Sequence, residues 1–291
     1  MTTSNSNKPE QSMAAVKLSY SSMKTLQSCE ARYFNYKVLK TPYDKDYEES
    51  NALGLGKAFH EVLEKTNHNS WNESLLISAM VTHNVDSSDK ELLSVMLEKY
   101  VTYHKASGLK VIKCELGLET NNYVGFLDAI AIEGNKFWII DLKTAARHDV
   151  NLLPQLAKDM QMNLYAHFAD QIELAVPEVE GKEFAGCRYR QVIKSKATTP
   201  RGLESGVKVY DLIIPASVLN PDEAWSLFLE LHEKAHGLHR GDVPKKNFSS
   251  CMAYFSACPY FSQCHKSEFT SGNTGIIVQT IDTLKEVEDL L

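Results

Sequence analysis

Apolar positions recur along this chain with two different periods, and the change of period divides it. Residues 18–38, LSYSSMKTLQSCEARYFNYKV, run at helical spacing, with Met23, Leu26, Tyr33 and Phe34 on one face and Ser21 or Ser22 placed to cap the helix. Residues 41–51 are polar, charged and marked by a proline, so they read as a loop. In LGLGKAFHEVLEK the glycines precede a helix that starts near Lys57. Residues 71–107 hold two more periodic pieces, LLISAMV and ELLSVMLEKYVTYH, broken at 83–90. At Lys110 the texture changes to short apolar runs of strand character: VIKCELGLET, YVGFLDAIAIEG and KFWIIDLKTA. Asn121-Asn122 and Gly134-Asn135 punctuate them as hairpin turns do. Leu156, Met160, Leu164 and Phe168 then recur at spacing four, which predicts one helix over 152–173. Two further strands are expected at 186–194 and 207–214, and a helix over about 221–237.

Helices, three strands, a helix, two strands and a helix make an α/β chain with a mixed central sheet and helices on both faces. The expected organisation is a single domain over 16–270. Its parts are a helical N-terminal region (18–107), a core (110–215) and a C-terminal helix with a cysteine segment (221–266). Residues 1–15, MTTSNSNKPEQSMAA, read as a disordered tail without the apolar centre of a secretory signal, and 271–291 as a C-terminal tail. No run of eighteen apolar residues occurs, so neither a membrane span nor a membrane partner is expected, and the location expected is the cytoplasm.

The net charge of −6 speaks against a chain that grips nucleic acid over its whole surface. A local patch remains. Residues 182–208 carry seven cations (Lys182, Arg188, Arg190, Lys194, Lys196, Arg201, Lys208) against Glu183 and Glu204. Strand alternation puts Arg188 and Arg190 on one face, either to reach phosphates without reading sequence or as part of a solvated charged hairpin.

The sharpest chemical signal is GFLDAI followed by IIDLKT. Asp128 lies inside one expected strand and Asp141 near the end of the next, so an antiparallel hairpin lets the two face one another. A carboxylate in an apolar strand is costly unless something neutralises it, and Mg²⁺ or Mn²⁺, which favour carboxylate oxygens, would do so. Lys143, two residues past Asp141, shares its face and can steady the developing charge of a phosphoryl transition state. Alone, an Asp-x-Lys is usually a solvated surface pair; the case rests on what surrounds it.

Six cysteines in a cytoplasmic chain do not suggest structural disulfides. Cys114 and Cys187 sit singly in apolar runs and read as core. Cys251, Cys258 and Cys264 crowd together with six and five residues between them. Zinc ribbons favour about two to four, so zinc fits less well than an iron–sulfur cluster, which needs four thiolates and accepts more varied spacing. Cys29 is the fourth candidate.

These pieces resemble, in order, the motifs of the PD-(D/E)XK nucleases, specifically the RecB-like branch that includes the nuclease domains of RecB and AddB, the CRISPR adaptation nuclease and many phage exonucleases. Gly56-Lys57-Ala58-Phe59-His60 is similar to the family's histidine-bearing helix, Glu115 to its first acidic motif and Gly125-Phe126-Leu127-Asp128 to Gly-x-x-Asp. Asp141-Leu142-Lys143-Thr144 is similar to Asp-x-Lys, and Gln161-Met162-Asn163-Leu164-Tyr165 to Gln-x-x-x-Tyr on the following helix. The resemblance implies a restriction-endonuclease-like core with His60, Asp128, Asp141 and the Leu142 carbonyl as ligands of Mg²⁺ or Mn²⁺. Lys143 would be the catalytic lysine, with Glu115, Gln161 and Tyr165 in support. Cysteines before and after the core resemble the iron–sulfur members of that branch, which implies a [4Fe–4S] cluster on Cys29, Cys251, Cys258 and Cys264 joining the two chain ends. The function implied is exonucleolytic hydrolysis of single-stranded DNA or DNA ends, with recombination or replication proteins as partners. The alternatives are a catalytically silent DNA-binding protein on the same fold and a zinc-stapled structural protein.

Overall fold

The computed structural model describes residues 16–45, 51–149, 151–252 and 257–264. Both expected tails lie outside them. Five strands form one sheet: β1 (Lys110–Glu119), β2 (Val124–Glu133), β3 (Lys136–Ala145), β4 (Glu183–Ile193) and β5 (Lys208–Pro215). They lie in chain order, antiparallel throughout except for the parallel pair β3–β4. A parallel pair needs a crossover. Here it carries α6 (Leu152–Leu156), α7 (Met160–His167) and α8 (Ala169–Ala175). The strands and the mixed sheet expected from the sequence are therefore present.

The N-terminal helices are α1 (Tyr20–Ser28), α2 (Glu30–Tyr33), which runs on as a π-helical turn at Phe34–Val38, α3 (Asn51–Lys65), α4 (Glu73–Thr82) and α5 (Lys90–Ala106). Further along are α9 (Pro200–Gly206), α10 (Pro221–His239) and α11 (Phe261–Cys264). Alternation along β3 separates two apolar cores. Phe137 and Ile139 point to a core with Met23 and Leu26 of α1, Leu164 of α7 and Phe228 of α10. On the other face Leu142 and Val192 pack against Phe59 and Val62 of α3, Leu76 of α4, and Leu93 and Leu97 of α5. Helices cover both faces.

Five local expectations need correction. The helix over 18–38 breaks at Cys29, whose backbone is extended (φ −165°, ψ 116°), and its cap is Ser19, which accepts the N–H of Ser22. The helix near Lys57 starts at least as early as Asn51, so Gly54 and Gly56 lie inside it. Their lack of a side chain permits close packing: a Cβ on Gly54 would sit 2.7 Å from the His83 carbonyl oxygen, and one on Gly56 3.1 Å from Thr144 Oγ1. The helix over 152–173 is three pieces, because Asp159 turns out of the helix and caps α7 by accepting the N–H groups of Gln161 and Met162. Cys187 is core as expected, whereas Cys114 is half-buried.

The fifth concerns the basic patch. Arg190 is fully buried and Arg188 nearly so, on the sheet face opposite α7. Arg190 Nε lies 3.1 Å and Arg188 Nη1 3.0 Å from the same Asp211 oxygen, and Arg190 also reaches His104 Nδ1 at 2.8 Å. Asp211 is directly opposite Arg190 in the β4–β5 ladder, so the register itself makes this pair. These arginines hold α5 to the sheet and do not reach for phosphates. Arg190→Ala is expected to lower the unfolding free energy by about 3–5 kcal/mol, the usual cost of breaking a buried ion pair, in urea titrations. A loss under about 1 kcal/mol together with weakened DNA binding would instead restore the phosphate-contact role.

Candidate active site

β2 pairs with β3 only as far as Ala129↔Ile140. Beyond that point β2 stays with β1 down to Val124↔Glu119, while β3 stays with β4 up to Ala145↔Ile193. The two middle strands part, and backbone groups at the fork need other partners. Asp128 Oδ2 accepts the N–H of Leu142 at 2.6 Å, and the Tyr165 hydroxyl of α7 donates to the Phe126 carbonyl at 3.3 Å. A carboxylate and a phenol thus stand in for ladder bonds.

The same register lines up three acids. Glu115 falls between the pairs Cys114↔Ala129 and Leu116↔Leu127, opposite Asp128. Asp128 is one step past Ala129↔Ile140, opposite Asp141. Glu115 has φ 47°, left-handed backbone that a strand residue adopts at a cost of about 1–3 kcal/mol. Alternation also slips beside Asp128, since Leu127 and Ile130 face one core while Ala129 and Ala131 face away from it.

From α3, His60 Nδ1 reaches Asp128 Oδ1 at 3.6 Å. Lys57, His60, Glu61 and Glu64 share this side of α3 at helical spacing. With Glu115, Leu142, Lys143, Thr144 and Lys194 they line a cleft of about 870 Å³. On the other side Gln161 Nε2 donates to the Tyr165 hydroxyl at 2.6 Å, and that hydroxyl lies 3.5 Å from Asp141 Oδ1. Lys143 Nζ donates to the same Asp141 oxygen at 2.8 Å.

The charges are strongly interdependent. Burial pushes the Asp141 carboxyl up to about 6, Lys143 pulling it down and Asp128 adding to the rise. Burial opposes charge on Asp128 too, but His60, Lys143 and the Leu142 N–H together hold its pKa below the usual carboxylate value. His60 is raised despite burial, because Asp128 bonds to its charged form. Lys143 is raised against its burial by the charges of Asp141 and Asp128. Glu115 is raised by burial and by the charges of Asp128 and Glu64.

Ligand atoms of His60, Glu115 and Asp128 all lie within 4.8 Å of one another. Asp141 Oδ2 is buried with no hydrogen-bond partner among the described residues. An imidazole, converging carboxylates and one unsatisfied oxygen suit a hard or borderline divalent cation. The fork brings together every residue expected at a metal and phosphodiester site: His60, Glu115, Asp128, Asp141, Leu142, Lys143, Gln161 and Tyr165. Sequence reasoning did not place Glu64 and Lys57 at the site, whereas Lys194 is the member of the basic patch that lines the cleft. The first two were findable, since positions 57, 60, 61 and 64 repeat at one-turn spacing on a helix already carrying His60.

The four clustered cysteines also converge. Cys29, Cys251, Cys258 and Cys264 line one narrow cavity with Arg32 and Tyr260. Burial and the charges of the other three raise the Cys251 thiol pKa. Around it the chain ends are tied together. Ser250 Oγ and Asn247 Nδ2 both donate to the Ser28 carbonyl at 2.8 Å, and Asp44 N–H donates to that of Pro259 at 2.8 Å.

The family model for the PD-(D/E)XK nuclease superfamily matches residues 17–265. The chain belongs to that superfamily. No curated protein matches it. Among solved structures it is similar to the crystal structure of SSO0001, at 13% identity over 74% of this chain and 89% of that one, with a TM-score of 0.25. For a PD-(D/E)XK nuclease the five-stranded mixed sheet flanked by helices is in keeping.

Asp141 gives this nuclease a pH signature. Its folded pKa lies above its ordinary value of 3.8, so the folded state keeps a proton that the unfolded chain releases. Stability of metal-free protein therefore falls as pH rises from about 4 to 6 and levels off above. Asp128, lowered on folding, works the other way and loses its contribution in acid. Asp141→Asn is expected to remove the fall, leaving the variant more stable than wild type at neutral pH in urea unfolding with chelator present. Parallel pH profiles for the two proteins would contradict this.

Proposed function

We propose that the chain is a divalent-metal-dependent deoxyribonuclease of the RecB-like branch, acting as an exonuclease on single-stranded DNA or DNA ends in recombination, repair or DNA processing. The observation that carries this reading is the unsatisfied, buried Asp141 Oδ2 beside the His60, Glu115 and Asp128 group, with Lys143 on the same carboxylate. His60, Asp128, Asp141 and the Leu142 carbonyl would hold Mg²⁺ or Mn²⁺, with Glu115 adjacent. When bound, such an ion supplies Lewis acidity toward the phosphate and a more acidic water.

The protein's own residues do the rest. Asp141 fixes the Lys143 ammonium at 2.8 Å and keeps it charged, so it can meet negative charge developing on the phosphate. Tyr165, tied to Gln161, holds Asp141 from the α7 side. Lys57 and Lys194 line the cleft and would meet flanking phosphates. Cys29, Cys251, Cys258 and Cys264 would ligate a structural [4Fe–4S] cluster, closing a loop of more than two hundred residues, where the entropic gain is largest in theory. Among the described residues no helix is long and apolar enough to cross a membrane. The setting proposed is the cytoplasm of a bacterial, archaeal or phage-infected cell, beside recombination or replication proteins.

End-labelled single-stranded DNA with Mn²⁺ tests the enzyme. Wild type is expected to degrade it and Lys143→Ala to lose about a hundredfold or more in rate while still binding, since the lysine serves the transition state. A cluster-loaded wild type that binds DNA without cutting would turn the reading to a silent accessory protein. Metal analysis tests the cluster: roughly four iron and four sulfide per chain are expected, lost in Cys258→Ser. Zinc without sulfide would contradict it.

A further inference from the structure

One large apolar side chain lies open beside the fork. Phe126 is 59% exposed, two residues before Asp128 on β2. Its side chain faces the α3 side of the sheet, because the adjacent Leu127 points into the core shared with α1, α7 and α10. Gly117 is its partner on β1 and faces the same way, between Leu116 and Leu118, which both turn toward that core. With no side chain at 117 the ring leans over the neighbouring strand: a Cβ there would sit 3.5 Å from Phe126 Cε1. Among the described residues no other ring and no cation stacks on Phe126. Its backbone belongs to the fork, since its carbonyl accepts the Tyr165 hydroxyl. Were the β2–β3 ladder continued past Ala129↔Ile140, Phe126 would stand level with Lys143. Single exposed apolar residues are ordinary on a protein surface; the place of this one distinguishes it.

We propose that Phe126 is the stacking surface for an unpaired base of the DNA strand, the base next to the phosphate held at the fork. The proposal rests on the nuclease reading and adds how the strand lies across the cleft. α3 crosses three strands: Gly56 lies against Thr144 of β3, His60 against Asp128 of β2, and the charge of Glu64 reaches Glu115 of β1. Lys57, next to Gly56, and Lys194, whose N–H donates to the Ala145 carbonyl, line the cleft at its β3–β4 end, where phosphates are attracted. Glu64 and Glu115 stand at the β1–β2 end, where a phosphate is repelled and an uncharged base is not. Phe126 lies at that end. Two strand residues span about 7 Å, so a base joined to a phosphate at Asp128 and Lys143 is within reach of the ring. Bare backbone at Gly117 also lets a flat ligand approach the sheet closely there. Stacking on an aromatic ring accepts any base, which suits hydrolysis without sequence preference.

The test is an abasic scan. Fluorescently labelled single-stranded oligonucleotides, intact or with one abasic nucleotide at successive positions, are bound in Ca²⁺ by wild type, Phe126→Leu and Phe126→Trp. Cutting in Mn²⁺ and stability in urea are measured alongside. Wild type is expected to lose about tenfold in affinity when the abasic nucleotide flanks the cut, and less elsewhere. Phe126→Leu should bind the intact strand about tenfold more weakly, lose nothing further with that abasic oligonucleotide, and keep wild-type stability. Phe126→Trp should retain both the affinity and the abasic dependence. Wild-type cutting with Phe126→Leu unchanged in affinity and abasic profile overturns the stacking site and leaves the nuclease standing. A Phe126→Leu that loses only stability does the same, because the ring then serves to shield the Gly117 backbone. A Phe126-dependent abasic profile without cutting by wild type keeps the stacking site and overturns the nuclease. Wild type that binds no single strand overturns both. An equal loss on covalently closed duplex overturns the assignment to an unpaired base.

Discussion

The parting of β2 from β3 is the constraint on which the site depends. Where two strands of one sheet separate, N–H and C=O groups lose their ladder partners, and burying them unsatisfied is costly. Here Asp128 takes the Leu142 N–H and Tyr165 serves the Phe126 carbonyl. Both groups that repair the fork belong to the chemistry proposed there. The split also opens the sheet from the side of α3, so that His60 can reach a carboxylate that a continuous ladder would have kept in line. Strain at Glu115, slipped alternation beside Asp128 and the orphaned oxygen of Asp141 all gather within this one irregularity. Without a cation, the acids there oppose one another; with one, the same placement becomes favourable.

The rest of the fold holds the two sides of the fork in place. Gly54 and Gly56 let α3 pack closely against the α4 terminus and Thr144, which sets how near His60 comes. The cap at Asp159 starts α7 afresh, so Gln161 and Tyr165 point into the fork together. The buried pair Arg190 and Asp211 pins α5, and through it the α3–α4 layer, against β4 and β5. At the far end four thiols converge where the first and last described segments meet.

Much of this was legible in the residues, because strand periodicity and turn residues are local properties. The five strands follow from short apolar runs and turn residues, the facing of Asp128 and Asp141 from the hairpin between β2 and β3, and the placement of Lys143 beside Asp141 from alternation. What was not legible depends on contacts distant in sequence. Cys29 breaks a helix that periodicity reads as continuous, because Lys245 and Asn247, far along the chain, bind the backbone on either side of it. Glycines that look like helix breakers sit inside α3 because another element packs on them. Arg188 and Arg190 have the alternation of a phosphate-contacting strand, yet face an acidic partner on β5 and an aromatic layer from α5. A charge pattern identifies cations but not their partners.

The most direct test of a cation site at the fork is anomalous diffraction from crystals soaked in Mn²⁺. The account predicts a peak within coordination distance of His60, Asp128 and the open oxygen of Asp141, and none there in Asp141→Asn crystals. A fork that stays empty while Mn²⁺ binds only to surface carboxylates would contradict it.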